Sequence, residues 1–215
     1  MFFISVKLHG YKWISMDLHG SPWMSIGIHG HPWISMDILG YQLVSMDINE
    51  CQRISTDTYG YRWISMDIHG HPWISMDVSG FPLITMDIYG YPLISMGISG
   101  YSWVSMGIHG CPGYPWISMD IHGYPWISMD IHGCQLISLD VHGYPMISVG
   151  FMGYPWMSIG IQEYLWMSMG IHGYPWISME IQRYPWMSKG ISGYPWISMN
   201  IIGYEWISKD THGFT

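Results

Sequence analysis

Aspartate and histidine recur two residues apart in this chain, at Asp17/His19, Asp67/His69, Asp120/His122, Asp130/His132, Asp140/His142 and Asp210/His212. On an extended strand, residues i and i+2 share a face, so each pair presents a carboxylate oxygen and an imidazole nitrogen together. That donor set suits zinc, copper or nickel. Most other copies of the segment carry Gly, Leu, Ser, Asn, Gln or Tyr at one of the two positions, so the pair is not a maintained feature of the array. No metal ligand and no cofactor is therefore assigned, and weak adventitious ion binding is the expectation.

Serine recurs as well, and a regular series of hydroxyls invites a hydrolase reading. It fails on chemistry. No G-x-S-x-G elbow occurs, and each Ser sits in the same local context without a singled-out base or oxyanion hole. Catalysis requires one distinct, preorganised constellation, whereas the repetition offers many equivalent ones. The glycines are isolated rather than clustered, so no phosphate-cradling loop is present either. No catalytic residue is assigned, and the chain is not expected to be an enzyme.

The elements that would carry these residues are dictated by repetition. The segment YPWISMDIHGYPWISMDIHG, from Tyr114 to Gly133, is one decapeptide written twice, and imperfect copies fill residues 1–215 as a single array. Taking the Ser as marker, 21 units run from Ser5 to Ser208, with Thr85 the one replacement. Spacing is ten throughout except for thirteen between Ser105 and Ser118, where Cys111–Gly113 is inserted. No domain boundary interrupts the array.

Between the Gly and Pro punctuation, W-I-S-M-D-I alternates with period two, placing Ile, Met and Ile on one face and Trp, Ser and Asp on the other. That is a half-buried strand. Gly and Pro every ten residues exclude long helices, and H-G-Y-P reads as the connecting loop. The pattern predicts an all-β fold, a two-sheet β-solenoid with two decapeptides per coil and roughly ten coils at ~4.8 Å each. In it Asp120/His122 and Asp140/His142 become neighbours in adjacent coils. The alternatives are an antiparallel meander with an exposed apolar face, or no stable monomeric fold and cross-β stacking between chains. Thr56, Thr58, Lys189, Lys209 and Thr211 place polar groups on the inward stripe, so their units are expected to bend, fray or cap.

Composition removes several functional classes. The 215 residues are 49% apolar and only 10% charged, with a formal net charge of -8 and seven Lys and Arg in all, which argues against both disorder and phosphate-backbone binding. No nucleic-acid partner is expected. Charged and punctuating residues interrupt every ten, so no membrane span is expected, and MFFISVKLHG lacks a signal-peptide core. Cys51, Cys111 and Cys134 form neither a disulfide framework nor a zinc spacing. Self-association or aggregation is the expected mode of partnership.

The genetic code accounts for the decapeptide. Its consensus back-translates to GGA TAT CCA TGG ATA TCC ATG GAT ATC CAT, which is the word GGATATCCAT written three times. Ten nucleotides are not divisible by three, so successive copies are read in different frames and the protein repeats after ten codons. All forward frames encode the same peptide, and none contains a stop. Single changes in TAT give His31, His71, Cys51, Cys134, Phe81 and Ser21, and single changes in CCA give Gln42, Arg62, Leu165 and Ser102. Lys12, Met146 and Glu205 need two changes. The expectation is an open reading frame through satellite-like ten-nucleotide repeat DNA, with no specific biochemical activity. The alternative is a structural or adhesive repeat protein acting through aromatic-rich β-ladders. Surface binding of metal, carbohydrate or ice ranks below both, because bulky Trp and charged Asp flank the Ser ladder that ice binding would use.

Overall fold

Alternation drives the architecture. In the computed structural model, which describes all residues except 1, 2, 11, 12, 21, 22, 32, 51, 52, 111–115, 134, 135, 195, 205 and 213–215, the described residues are 88% strand and wind into a parallel β-solenoid of about 9 turns with a repeat of roughly 20 residues. Of the side chains at positions 8, 42 and 209–212 nothing further is described. Each decapeptide pairs in parallel with the one a full coil away, like on like: Trp13 with Trp33, Ser15 with Ser35, Asp17 with Asp37, Gly20 with Gly40. Alternate decapeptides therefore build two facing sheets. Every pairing among the described strands is parallel, which sets the antiparallel meander aside.

The Ile, Met and Ile of each unit point inward and fill the space between the sheets, as at Ile74, Met76 and Val78, all 2% exposed or less. Burying a residue of this kind contributes roughly 1.5–3 kcal/mol, and the stripe runs the length of the rod. Toward the ends the inward residues are only partly covered, Ile14, Met16 and Leu18 at one and Ile197, Met199 and Ile201 at the other. The Gly after the His turns the corner with positive φ, as at Gly90 (φ 126°), a conformation open to glycine and strained for other residues. Glu50, Glu163 and Arg183 hold the same corner with φ between 87° and 100°.

Two features depart from the sequence expectation. The Pro position, read as loop, is a fourth inward column: Pro72, Pro82, Pro125 and Pro145 are buried, as is Leu165 in the same place. Period two simply continues through Y-P-W. Second, the units with polar inward residues do not break. Thr56 and Thr58 are buried within the unbroken strand Arg53–Gly70, and Lys189 is buried within Trp176–Gly193. Ladder bonds to the coils above and below hold the backbone there, and the Lys189 ammonium donates to the Met199 Sδ. Lys209 lies in register with Lys189 and Thr211 with Ile191, their side chains being outside the described residues. The insertion at 111–113 and the three cysteines also fall outside them. The ladders flanking the insertion keep their register, Gly100 against Gly123 and Trp103 against Trp126.

Candidate functional site

Since like stacks on like, every outward position of the decapeptide becomes a column running along the rod. One is aromatic: Tyr41, Tyr61, Phe81, Tyr101, Tyr124, Tyr144, Tyr164, Tyr184 and Tyr204 stack along one corner at centroid spacings of 4.5 to 5.8 Å. Trp columns run on both sheets, among them Trp156, Trp176 and Trp196 at 5.1 and 5.3 Å. Where Arg53 replaces a Trp, its guanidinium lies between the Trp33 and Trp73 rings, 4.6 and 4.8 Å from their centroids, and preserves the stack by cation–π attraction. Ring faces inside a column cover one another, so what they offer to solvent is edges. A sugar ring, which stacks on an aromatic face, would find one only where a column is interrupted.

Beside each Trp column lies an open groove floored by the Ser column. One, of about 590 Å³, runs past Trp126, Met146, Trp166, Trp186 and Trp206 with Ser128, Ser148, Ser168, Ser188 and Ser208 beneath. The other, of about 470 Å³, runs past Trp13, Trp33, Arg53 and Trp73. Ser and His of one unit are four residues apart, about 13 Å along a strand. Thus Ser118 and His122 share a face but lie too far apart to share a proton.

The Asp columns bring like charges together. Asp17, Asp37, Asp57 and Asp77 succeed one another on one sheet. Partial burial first, then the Asp77 and Asp37 carboxylates, push the Asp57 carboxyl above the usual range. Glycine relieves such runs: the Asp77 carboxylate leans into the space over Gly97, where an added Cβ would sit 2.5 Å from its Oδ1, and Asp130 and Asp140 lean the same way over Gly150 and Gly160.

The solenoid brings together what the sequence reading placed in adjacent coils: Asp120 pairs with Asp140 and His122 with His142. The His122 Nε2 lies 3.3 Å from the Asp120 Oδ1, and the His122 and His142 rings stack 4.8 Å apart with a 9° tilt. At Asp67/His69 the ion-pair geometry repeats at 3.3 Å, but the ring beside His69 is Tyr89. Beside His19 in register stands Leu39. Asp210 and His212 have strand positions only.

A buried charged residue escaped the sequence reading. Arg62 occupies the buried Pro column, its guanidinium donating to the carbonyls of Ile38, Gly40 and Tyr59, and burial lowers its pKa to about 10. It remains charged at neutral pH. The missed signal was the alternation itself, which extends through Pro and places whatever replaces it inside.

These columns define a parallel two-sheet β-solenoid with aromatic ladders on its surface. No family model matches the chain, and no curated protein or solved structure matches it either. No helix among the described residues is long and apolar enough to cross a membrane.

Proposed function

We propose that this chain is a passive structural or adhesive rod, a non-enzymatic solenoid whose regularity was inherited from ten-nucleotide repeat DNA. The observation that carries the reading is the nine-ring column from Tyr41 to Tyr204, flanked by Trp columns on both sheets. Stacked pairs contribute about 0.5–1.5 kcal/mol each beyond their burial, so the columns stiffen the rod while leaving aromatic edges along its length. Such edges favour contact with apolar surfaces and with further aromatic chains. The outward columns repeat one chemistry many times, which suits cohesion and does not suit catalysis.

The reading has two tests. Adsorption of the purified chain to a methyl-terminated surface, followed by quartz microbalance, should fall severalfold when Trp156, Trp176 and Trp196 are all replaced by Thr with the strand content intact. Unchanged adsorption rejects the adhesive role. Translation is tested by targeted mass spectrometry of the tryptic peptide ISTDTYGYR, Ile54 to Arg62, which departs from the repeat enough to be unique. Its absence across tissues and conditions, with a heavy-isotope standard readily seen, leaves only the repeat-DNA origin and no function to assign.

A further inference from the structure

The geometry points to a binding site for a borderline divalent transition ion, of the zinc class, at Asp120, His122 and His142. Among the described residues these form the one group of three His, Cys, Asp or Glu side chains whose ligand atoms all lie within 4.8 Å of one another. One oxygen and two imidazole nitrogens are a donor set for zinc, nickel or copper rather than for magnesium or calcium. The inference is independent of the adhesive role.

Three circumstances single this place out from other Asp/His pairs of the array. First, two histidines stand in register on neighbouring strands, His122 against His142, so the backbone ladder fixes their separation. Second, Asp140, the carboxylate beside Asp120, leans away over Gly160, where an added Cβ would lie 2.4 Å from its Oδ1. Asp120 is thereby left to face His122 at 3.3 Å. Third, the comparable stack of His109 and His132, 4.8 Å apart, has its neighbouring carboxylate Asp130 turned over Gly150. The same residue types thus occur in both places, but only one set converges.

The fit to a metal is geometric. Zinc–nitrogen and zinc–oxygen bonds of about 2.0–2.2 Å place tetrahedral ligand atoms about 3.3 Å apart. Asp120 and His122 are already at that distance, and both are exposed, with His142 half-buried. The three ligand atoms lie within 4.8 Å of one another, so the His142 donor has at most about 1.5 Å to close. Three protein ligands leave at least one position to water, so the ion would clip two coils together from outside.

Titration of Zn2+ alone into the purified chain by calorimetry, at constant pH, tests this. One site should bind more tightly than the remaining histidines. His122→Ala and His142→Ala should each weaken it by roughly 100-fold or more, exceeding the 10–100-fold typical of losing a residue that only supports a ligand. Asp120→Asn should weaken it by at least about tenfold, and His109→Ala should leave it unchanged. Ring resonances of His122 and His142 should shift together, at lower Zn2+ than those of any other His, which reads the site without a variant. An isotherm of equivalent weak sites, a wild-type isotherm in His142→Ala, or an equal loss in His109→Ala overturns the assignment.

Discussion

Replacing Gly90 by Ala should destabilise the middle of the rod, and the size of the effect follows from what surrounds the corner. Gly90 has φ 126°, and a Cβ there would lie 1.9 Å from the carbonyl oxygen of Gly70 one coil away. That oxygen cannot retreat freely, because it accepts a hydrogen bond from the Tyr91 N–H at 3.0 Å. Holding a residue with a side chain in such a region costs about 1–3 kcal/mol. Displacing the carbonyl forfeits about 1 kcal/mol more, and the smaller entropy of the unfolded Ala chain returns about 0.4–1 kcal/mol. The net is a loss of about 1–3.5 kcal/mol. At the equivalent corner, Glu50 holds φ 96° as a non-glycine, with its N–H donating to the His69 carbonyl at 2.8 Å. Its contact with His31 is 3.8 Å and exposed, and contributes little. Glu50→Gly should therefore stabilise, by the relieved strain of about 1–2 kcal/mol less roughly 0.5–1 kcal/mol of glycine entropy. A repeat array can unfold in segments, so urea denaturation followed by Trp fluorescence should be paired with hydrogen exchange at the affected coils. Equal stability of Gly90→Ala and wild type, or shifts of the same sign in both variants, would refute the corner argument.

The core and the Asp column supply two more predictions. Lys189→Met restores the consensus residue in a buried column, and replacing a buried amino group by a matching apolar side chain should raise the urea midpoint; a lower midpoint would show instead that the amino group supports its neighbours. For Asp57, whose carboxyl is held above its ordinary value of 3.8, the folded state binds the proton more tightly than the unfolded chain. Its contribution to stability is present below the unfolded value and is lost as pH rises through the raised folded value. Asp57→Asn should therefore unfold at higher urea than wild type at pH 7, with the difference shrinking once pH falls below 3.8. A difference independent of pH contradicts the raised folded-state value of the Asp57 carboxyl.

Much of the fold was legible because one signal repeats. Alternating Ile, Met and Ile mark the buried face, Gly marks the corner, and a coil of two decapeptides makes His122 and His142 neighbours. The Pro column was hidden because proline carries two messages, a turn preference and an apolar side chain, and the first was read without the second. Arg62 was hidden with it. Tolerance of Lys189 was also illegible: a period rule counts a charge on the inward face as a defect, but cannot know that a flexible stem will reach the Met199 sulfur. Nor could it show which way each carboxylate leans, since that depends on whether Gly stands in the next coil. That detail separates Asp120 from Asp130.

A decaying DNA array keeps an apolar core for a reason that lies in the code. Three of the four inward consensus codons, ATA, ATG and ATC, have T in the middle position, and every codon with a middle T encodes Phe, Leu, Ile, Met or Val; the fourth, CCA for Pro, lacks that protection, and polar Arg62 and Ser102 stand in its column. Changes at the first or third position therefore leave those three columns apolar, as at Leu18, Val44, Leu139 and Phe151. The polar intrusions Thr56, Thr58, Lys189, Lys209 and Thr211 each correspond to a change of the middle base. Outward codons have no such protection and no such need, because a Ser, Asp or His replaced at the surface leaves the packing intact. Folding can thus persist through drift without selection for any decapeptide. The nucleotide sequence of the frame decides whether selection has acted: under drift alone, middle-base differences between units should be as frequent in inward as in outward codons. A deficit confined to the inward codons would mean that the folded rod, rather than the DNA repeat, has been maintained.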